Sequence, residues 1–182
     1  MRTEKITSVT VGNPALRRLY ESAFPREEQI PYDDLISLLD TMPIDFTAYY
    51  DGDTFVGLTL VLNRPDFNWG WYFAVQESLR GQGYGQRILS VLKKQYAARP
   101  LVIDIESPWQ QDCPNQEQRL RRYGFYRRNG FRDTPTFKSF DGIDFTIMLL
   151  GEGTFTQQDY DDIIHDLRMC WTSAPQEKNQ NY

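Results

Sequence analysis

Three observations predict a mixed α/β fold built on a central sheet. Runs rich in β-branched and aromatic residues alternate with segments whose apolar residues recur at helical spacing. Asp-Gly pairs at 51–52 and 141–142 sit between such runs and predict hairpins. Gly81, Gly83 and Gly85 crowd the junction between a β-rich run and an amphipathic one. With 182 residues and 40% hydrophobic content, the chain is long enough for one compact domain with a real core and short for two.

Residues 13–24 and 31–42 carry apolar side chains at helical spacing, each opened by a proline, and predict two short helices. Residues 45–63 are two strands around Asp51-Gly52, and 68–75 (NWGWYFAV) a third. Residues 84–99 form a helix that stops before Pro100. The run 101–107 (LVIDIES) is a nearly continuous apolar strand, and 115–130 a helix with Gly130 at its C-terminal cap. Residues 131–151 hold two more strands around Asp141-Gly142, and 155–169 a last helix. The polar end of the chain, 171–182, is predicted to be disordered.

Composition excludes several functions. The formal net charge of −5 argues against a nucleic-acid partner, which needs a basic surface to displace counterions. Residues 119–132 hold six arginines and no acid, so either a helix face paired with carboxylates or a local anion site is expected there. No run of eighteen apolar residues and no apolar stretch behind the N-terminal charges is present, so neither a membrane partner nor a secretory leader is expected, and the location read is cytoplasmic. Cys113 and Cys170 form no CxxC pair and His165 is the lone histidine, so no metal is expected. A hydrolase with Cys113 as nucleophile would have to recruit His165, 52 residues away.

The glycine cluster predicts an anion site. The first amides of a helix lack intrahelical partners and carry the positive end of its dipole, and glycines let a phosphate approach them. Arg80 and Arg87 flank the cluster. It is not a dinucleotide fingerprint, because the third glycine of GxGxxG falls on Gln86 or Ile88. It is not a Walker loop either, because no Gly-Lys-Ser/Thr occurs.

The stretch Arg80-Gly81-Gln82-Gly83-Tyr84-Gly85 does fit Q/R-x-x-G-x-G/A, and with it the sequence resembles the GNAT family of N-acetyltransferases. Residues 72–85 are similar to that family's fourth strand and pyrophosphate loop, 101–107 to its fifth strand, and 125–131 to its tyrosine-bearing helix end. Residues 23–31 are similar to the segment between its first two helices, so the resemblance covers roughly 15–150. It implies a GNAT-like fold: a mixed, mostly antiparallel, twisted sheet of six to seven strands flanked by helices. Residues 1–153 would be the acetyltransferase domain and 154–170 an added C-terminal helix.

By the same resemblance, acetyl-CoA would lie along the backbone of Phe73, Ala74 and Val75. Its pyrophosphate would meet the loop Arg80, Gly81, Gln82, Gly83, Tyr84, Gly85 and Gln86. The family's pantetheine-contacting asparagine sits seven residues before its tyrosine, where this chain has Arg119; Asn115 is the nearest substitute. Transfer to an amine needs a base and a donor to the leaving thiolate. Period-two alternation places Asp104 and Glu106 on one face of their strand, roughly 6.6 Å apart, as candidate bases. Tyr126 matches the family's thiolate-facing tyrosine, with Tyr123 and Phe125 as neighbours that spacing alone does not separate. Glu27 and Glu28, with Asp33 and Asp34 nearby, would border the acceptor site, which with the strand acids suggests an acidic cleft for a basic amine. The implied function is acetylation of a primary amine of a small molecule or protein, by a monomer or homodimer. A non-catalytic acyl-CoA sensor of the same fold is the alternative.

Overall fold

The computed structural model describes residues 1–173, except for the side chains of Glu27 and of 170–173; the tail and the Cys170 side chain therefore lie outside the described residues. The strands are β1 (Arg2–Ile6), β2 (Ile44–Asp51), β3 (Thr54–Asn63), β4 (Asn68–Val75), β5 (Leu101–Glu106), β6 (Arg132–Phe140) and β7 (Ile143–Leu150). The helices are α1 (Pro14–Ala23), α2 (Tyr32–Leu38), α3 (Tyr84–Gln95), α4 (Gln116–Arg128) and α5 (Gln157–Ser173). Local chemistry sets the boundaries. Asn13 caps α1 by accepting the Ala15 amide at 2.9 Å, with Pro14 in the first turn. Asp141 and Gly142 have φ of 48° and 76°, the two positive values that a type I′ hairpin requires.

One seven-stranded sheet runs β1-β2-β3-β4-β5-β7-β6, antiparallel everywhere except at β4–β5. β1 is absent from the sequence reading. Its residues RTEKI are charged and mostly exposed, and it joins the sheet edge by pairing with β2, Arg2 opposite Tyr50 through Ile6 opposite Phe46. Two apolar cores fill the two faces. One packs α1, α2 and α5 against side chains that include Phe46, Leu60 and Val102. The other packs α3 and α4 against side chains that include Val61, Ile103 and Met148. Among the described residues, no helix is long and apolar enough to cross a membrane.

The parallel pair is where the sheet opens. α3 is the crossover that a parallel connection requires. Only Asn68, Trp69 and Gly70 of β4 pair with Leu101, Val102 and Ile103 of β5. The backbones press together at Gly70, where an added Cβ would meet Ile103 Cγ2 at 3.1 Å. The next residue, Trp71, is skipped in the β3 register, Leu60 facing Tyr72 and Val61 facing Gly70. A bulge of this kind bends its strand and ends local pairing. Past it, no residue of β4 pairs with β5.

Candidate active site

A cavity of about 870 Å³ occupies this split, lined from both faces of the sheet. Phe73, Ala74 and Val75 form one wall, and Ile103, Asp104, Ile105 and Glu106 lie across from them on β5. The β4 edge here has backbone groups without a β5 partner, the template on which an extended amide chain can pair.

The glycine loop closes one end. Gly81 and Gly83 have φ of +77° and +81°, with open space where a Cβ would stand, and Gly83 caps α3. Glycine is required there by backbone conformation, not only by the approach of a ligand. Gly85 lies in the first turn of α3, where a Cβ would stand 3.8 Å from Phe125, an ordinary contact. A side chain can therefore be added at Gly85 without backbone strain, and not at Gly83. Arg80, Gly81, Gly83, Gly85 and Gln86 line the cavity, whereas the side chains of Gln82 and Tyr84 turn elsewhere. Gln82 donates to the Ser78 carbonyl at 2.9 Å and Tyr84 to Asp51 at 3.0 Å. Arg87 does not supply charge to the loop as expected: it forms a fork with Asp51 at 2.8 and 3.1 Å. Arg128 of α4 lines the cavity instead.

Asp104 and Glu106 do share a face, but neither is a free carboxylate. Asp104 is ion-paired with Lys138 and accepts the Trp69 indole N–H at 3.2 Å. Glu106 is gripped by Arg119 at 2.9 Å and Arg122 at 3.0 Å. Asn115 Nδ2 adds contacts to both Glu106 oxygens at 3.1 and 3.2 Å, while its Oδ1 accepts from Arg119 at 2.7 Å. Charge-assisted bonds of this kind occupy the lone pairs of a carboxylate that an approaching amine would otherwise meet. Both acids expected as candidate bases thus line the cavity as ion-paired carboxylates, and Asn115, expected at the cofactor, is not among the lining residues. The set is a brace tying the end of β5 to α4. Arg119 and Glu106 side chains are only 4% and 11% exposed, so Glu106→Gln, which leaves Arg119 without its counter-charge, is expected to cost about 3–5 kcal/mol in urea unfolding.

The arginine-rich stretch is thus mostly paired, with Arg121 on Glu117 at 2.7 Å and Arg132 on the Gly153 carbonyl at 2.6 Å. The expected acidic cleft is close to neutral. Asp33 lies outside the cavity, on Arg17 at 3.1 Å, and Asp34 is likewise not among the lining residues.

Glu28 is different. It sits in the turn between α1 and α2, lines the cavity, and its Oε1 is buried with no hydrogen-bond partner. Burial pushes its carboxyl above the usual glutamate range; the charge of Glu106 adds to this, Lys138 opposes it, Asp104 adds again and Arg122 opposes. Its carbonyl accepts the Tyr72 hydroxyl at 2.6 Å, which anchors the turn on β4. The Glu27 side chain lies outside the described residues.

Tyr126 lines the cavity from the other face, its ring edge-on to Phe125 and Phe131 at 5.2 Å each. Among the described residues nothing bonds its hydroxyl, and burial pushes its pKa up to about 12. Tyr123 does not line the cavity, and its hydroxyl bonds Asp133 at 2.9 Å. The cysteine-nucleophile reading finds no support: Cys113 Sγ bonds Gln116 Oε1 at 2.6 Å and His165 is exposed on α5. Among the described residues no group of three or more His, Cys, Asp or Glu could hold a metal ion. The sequence reading missed the remaining lining, which includes Phe24, Trp71, Tyr72, Lys138, Phe140 and Tyr160. These come from four separate elements or their ends, and no local pattern links them.

Comparison with known proteins agrees with this geometry. A family model described as an acetyltransferase (GNAT) domain matches residues 44–133. No curated protein matches significantly. A structure from Bacteroides thetaiotaomicron, assigned to acetyltransferases of the GNAT family, is 26% identical with a TM-score of 0.75, covering 93% of this chain and 97% of that one. A GNAT acetyltransferase from Elizabethkingia anophelis with acetyl-CoA bound is 18% identical at a TM-score of 0.57, over 83% of this chain and 97% of that one. An aminoglycoside 6'-N-acetyltransferase complexed with coenzyme A is 17% identical at 0.61, over 82% and 96%. The last two share the fold. The domain match over residues 44–133, the opened parallel pair and the glycine loop at the entrance to α3 together show that this chain carries a GNAT acetyltransferase domain and its fold.

Proposed function

We propose that the protein transfers the acetyl group of acetyl-CoA to a primary amine by direct attack in a ternary complex. The observation that carries this reading is one cavity joining the open β4 edge, the glycine loop, Tyr126 and an unpartnered carboxylate oxygen. Phe73, Ala74 and Val75 would pair with the pantetheine amides, and the loop Gly81–Gln86 would receive the pyrophosphate with Arg80 and Arg128 nearby. The coenzyme supplies an activated thioester; the rest of the chemistry belongs to the chain.

Glu28 takes the proton from the attacking amine, the role that its raised affinity for protons suits. Tyr126 faces the leaving sulfur as a hydrogen-bond donor. Its pKa of about 12 keeps the phenol protonated at neutral pH. The gap between that value and about 8.5 for a thiol opposes full transfer by roughly 5 kcal/mol, so a strong hydrogen bond to the developing thiolate is its main contribution.

The reading is tested by acetyl-CoA-dependent release of thiol with a panel of primary amines; release that never depends on an amine would refute it. The cofactor half is tested separately by calorimetry. Gly85→Val is expected to weaken acetyl-CoA binding by ~10-fold or more, the cost of blocking a helix-start phosphate site. Its melting temperature should stay close to wild type, whereas Gly83→Val should lose about 1–2 kcal/mol of stability through its left-handed backbone. Unchanged affinity in folded Gly85→Val would remove the phosphate from this loop.

A further inference from the structure

The part of the cavity around Glu28 has a chemistry of its own. Phe24 and Tyr72 rings meet at 4.7 Å, and Trp71 stacks on Tyr72 at 5.3 Å with 15° between the planes. Phe145 and Tyr160 rings lie 4.0 and 6.0 Å from the Lys138 Nζ. Phe140, 51% exposed, stands at the rim. The charges among these rings are already matched, Asp104 by Lys138 and Glu106 by Arg119 and Arg122. Glu28 Oε1 is the one buried carboxylate oxygen without a partner among the described residues.

Resting on the acetyl-transfer reading above, we infer that the acceptor is a primary monoamine carried on a flat apolar body, an arylalkylamine in chemical class. A single amine nitrogen satisfies Glu28, and ring faces favour both an aromatic body and the ammonium that approaches them. A polyamine or aminoglycoside would bring further ammonium or hydroxyl groups among these rings, where Asp104 and Glu106 are already ion-paired, and each would lose much of its water uncompensated. An amino acid would need a free cation beside Glu28 for its carboxylate, and the two cations that act on Glu28, Lys138 and Arg122, are both engaged.

The test is equilibrium binding to the protein saturated with coenzyme A, titrating phenethylamine, propylamine, spermidine and an aminoglycoside, read by calorimetry. Phenethylamine should bind ~10-fold or more tightly than each of the others, because its ring contacts have no counterpart in them. Phe140→Ala, at an exposed site where truncation leaves the fold alone, and Trp71→Ala should each lower phenethylamine affinity several-fold and leave coenzyme A affinity unchanged. Tighter binding of spermidine or the aminoglycoside would overturn the inference, as would phenethylamine binding that is absent or insensitive to both variants. Failure of coenzyme A to bind would instead overturn the transfer reading on which it rests.

Discussion

Glu28→Gln is expected to lower kcat/KM for amine acetylation by ~10²- to 10⁴-fold, the range for removing a positioned general base. Wild-type activity should fall on acidification through a pKa above the ordinary glutamate range, because the base works only when ionised and burial favours its neutral form. The variant should lose that acid limb and gain rate with pH only as the amine deprotonates unaided. Stability should move the other way. The folded state holds the Glu28 proton more tightly than the unfolded chain, so the penalty for its charge appears as pH rises through the unfolded pKa and is complete above the folded one. Glu28→Gln should therefore melt higher than wild type at pH 8 and show no such advantage at a pH below both values. Wild-type turnover in the variant would show that the base lies elsewhere.

Tyr126→Phe is expected to lower kcat by ~10²-fold while acetyl-CoA affinity stays within about twofold. The change removes a hydroxyl that makes no hydrogen bond among the described residues and keeps the ring between Phe125 and Phe131. No packing or hydrogen-bond loss should then obscure the kinetic effect, and the melting temperature should not drop. Acetyl thioesters of coenzyme A analogues with more acidic thiols should shrink the defect, since a lower thiol pKa needs less help from the donor. A defect of equal size with every thiol would make Tyr126 a packing residue.

Most of the sheet could be read from the sequence because its signals are local. Asp-Gly pairs fixed both hairpins, and alternation along LVIDIE divided Val102 from Leu101, Ile103 and Ile105, which now belong to opposite cores. β1 escaped because an edge strand of charged residues has backbone pairing but almost no apolar pattern. The Trp71 bulge escaped because a skipped residue leaves no mark on periodicity. Near the cavity, motif and spacing singled out the glycine loop, the β4 edge and Tyr126, which the fold brings to one lining. The state of the carboxylates was not legible in this way. Whether an acid is free depends on what crosses the fold to meet it: Lys138 is 34 residues from Asp104 and Arg119 is 13 from Glu106. Glu28 was noticed as an acceptor-side acid, yet only burial without a partner leads to the base role proposed for it.

Initial-velocity kinetics with acetyl-CoA and an accepted amine, varied together, test direct transfer most plainly. The account predicts double-reciprocal lines that intersect, one thiol released per amide formed, and no acetylated enzyme by mass spectrometry when acetyl-CoA is added alone. Parallel lines with acetyl trapped on Cys113 or another side chain would show a covalent intermediate. That result would contradict attack within a ternary complex and remove Glu28 and Tyr126 from their assigned roles.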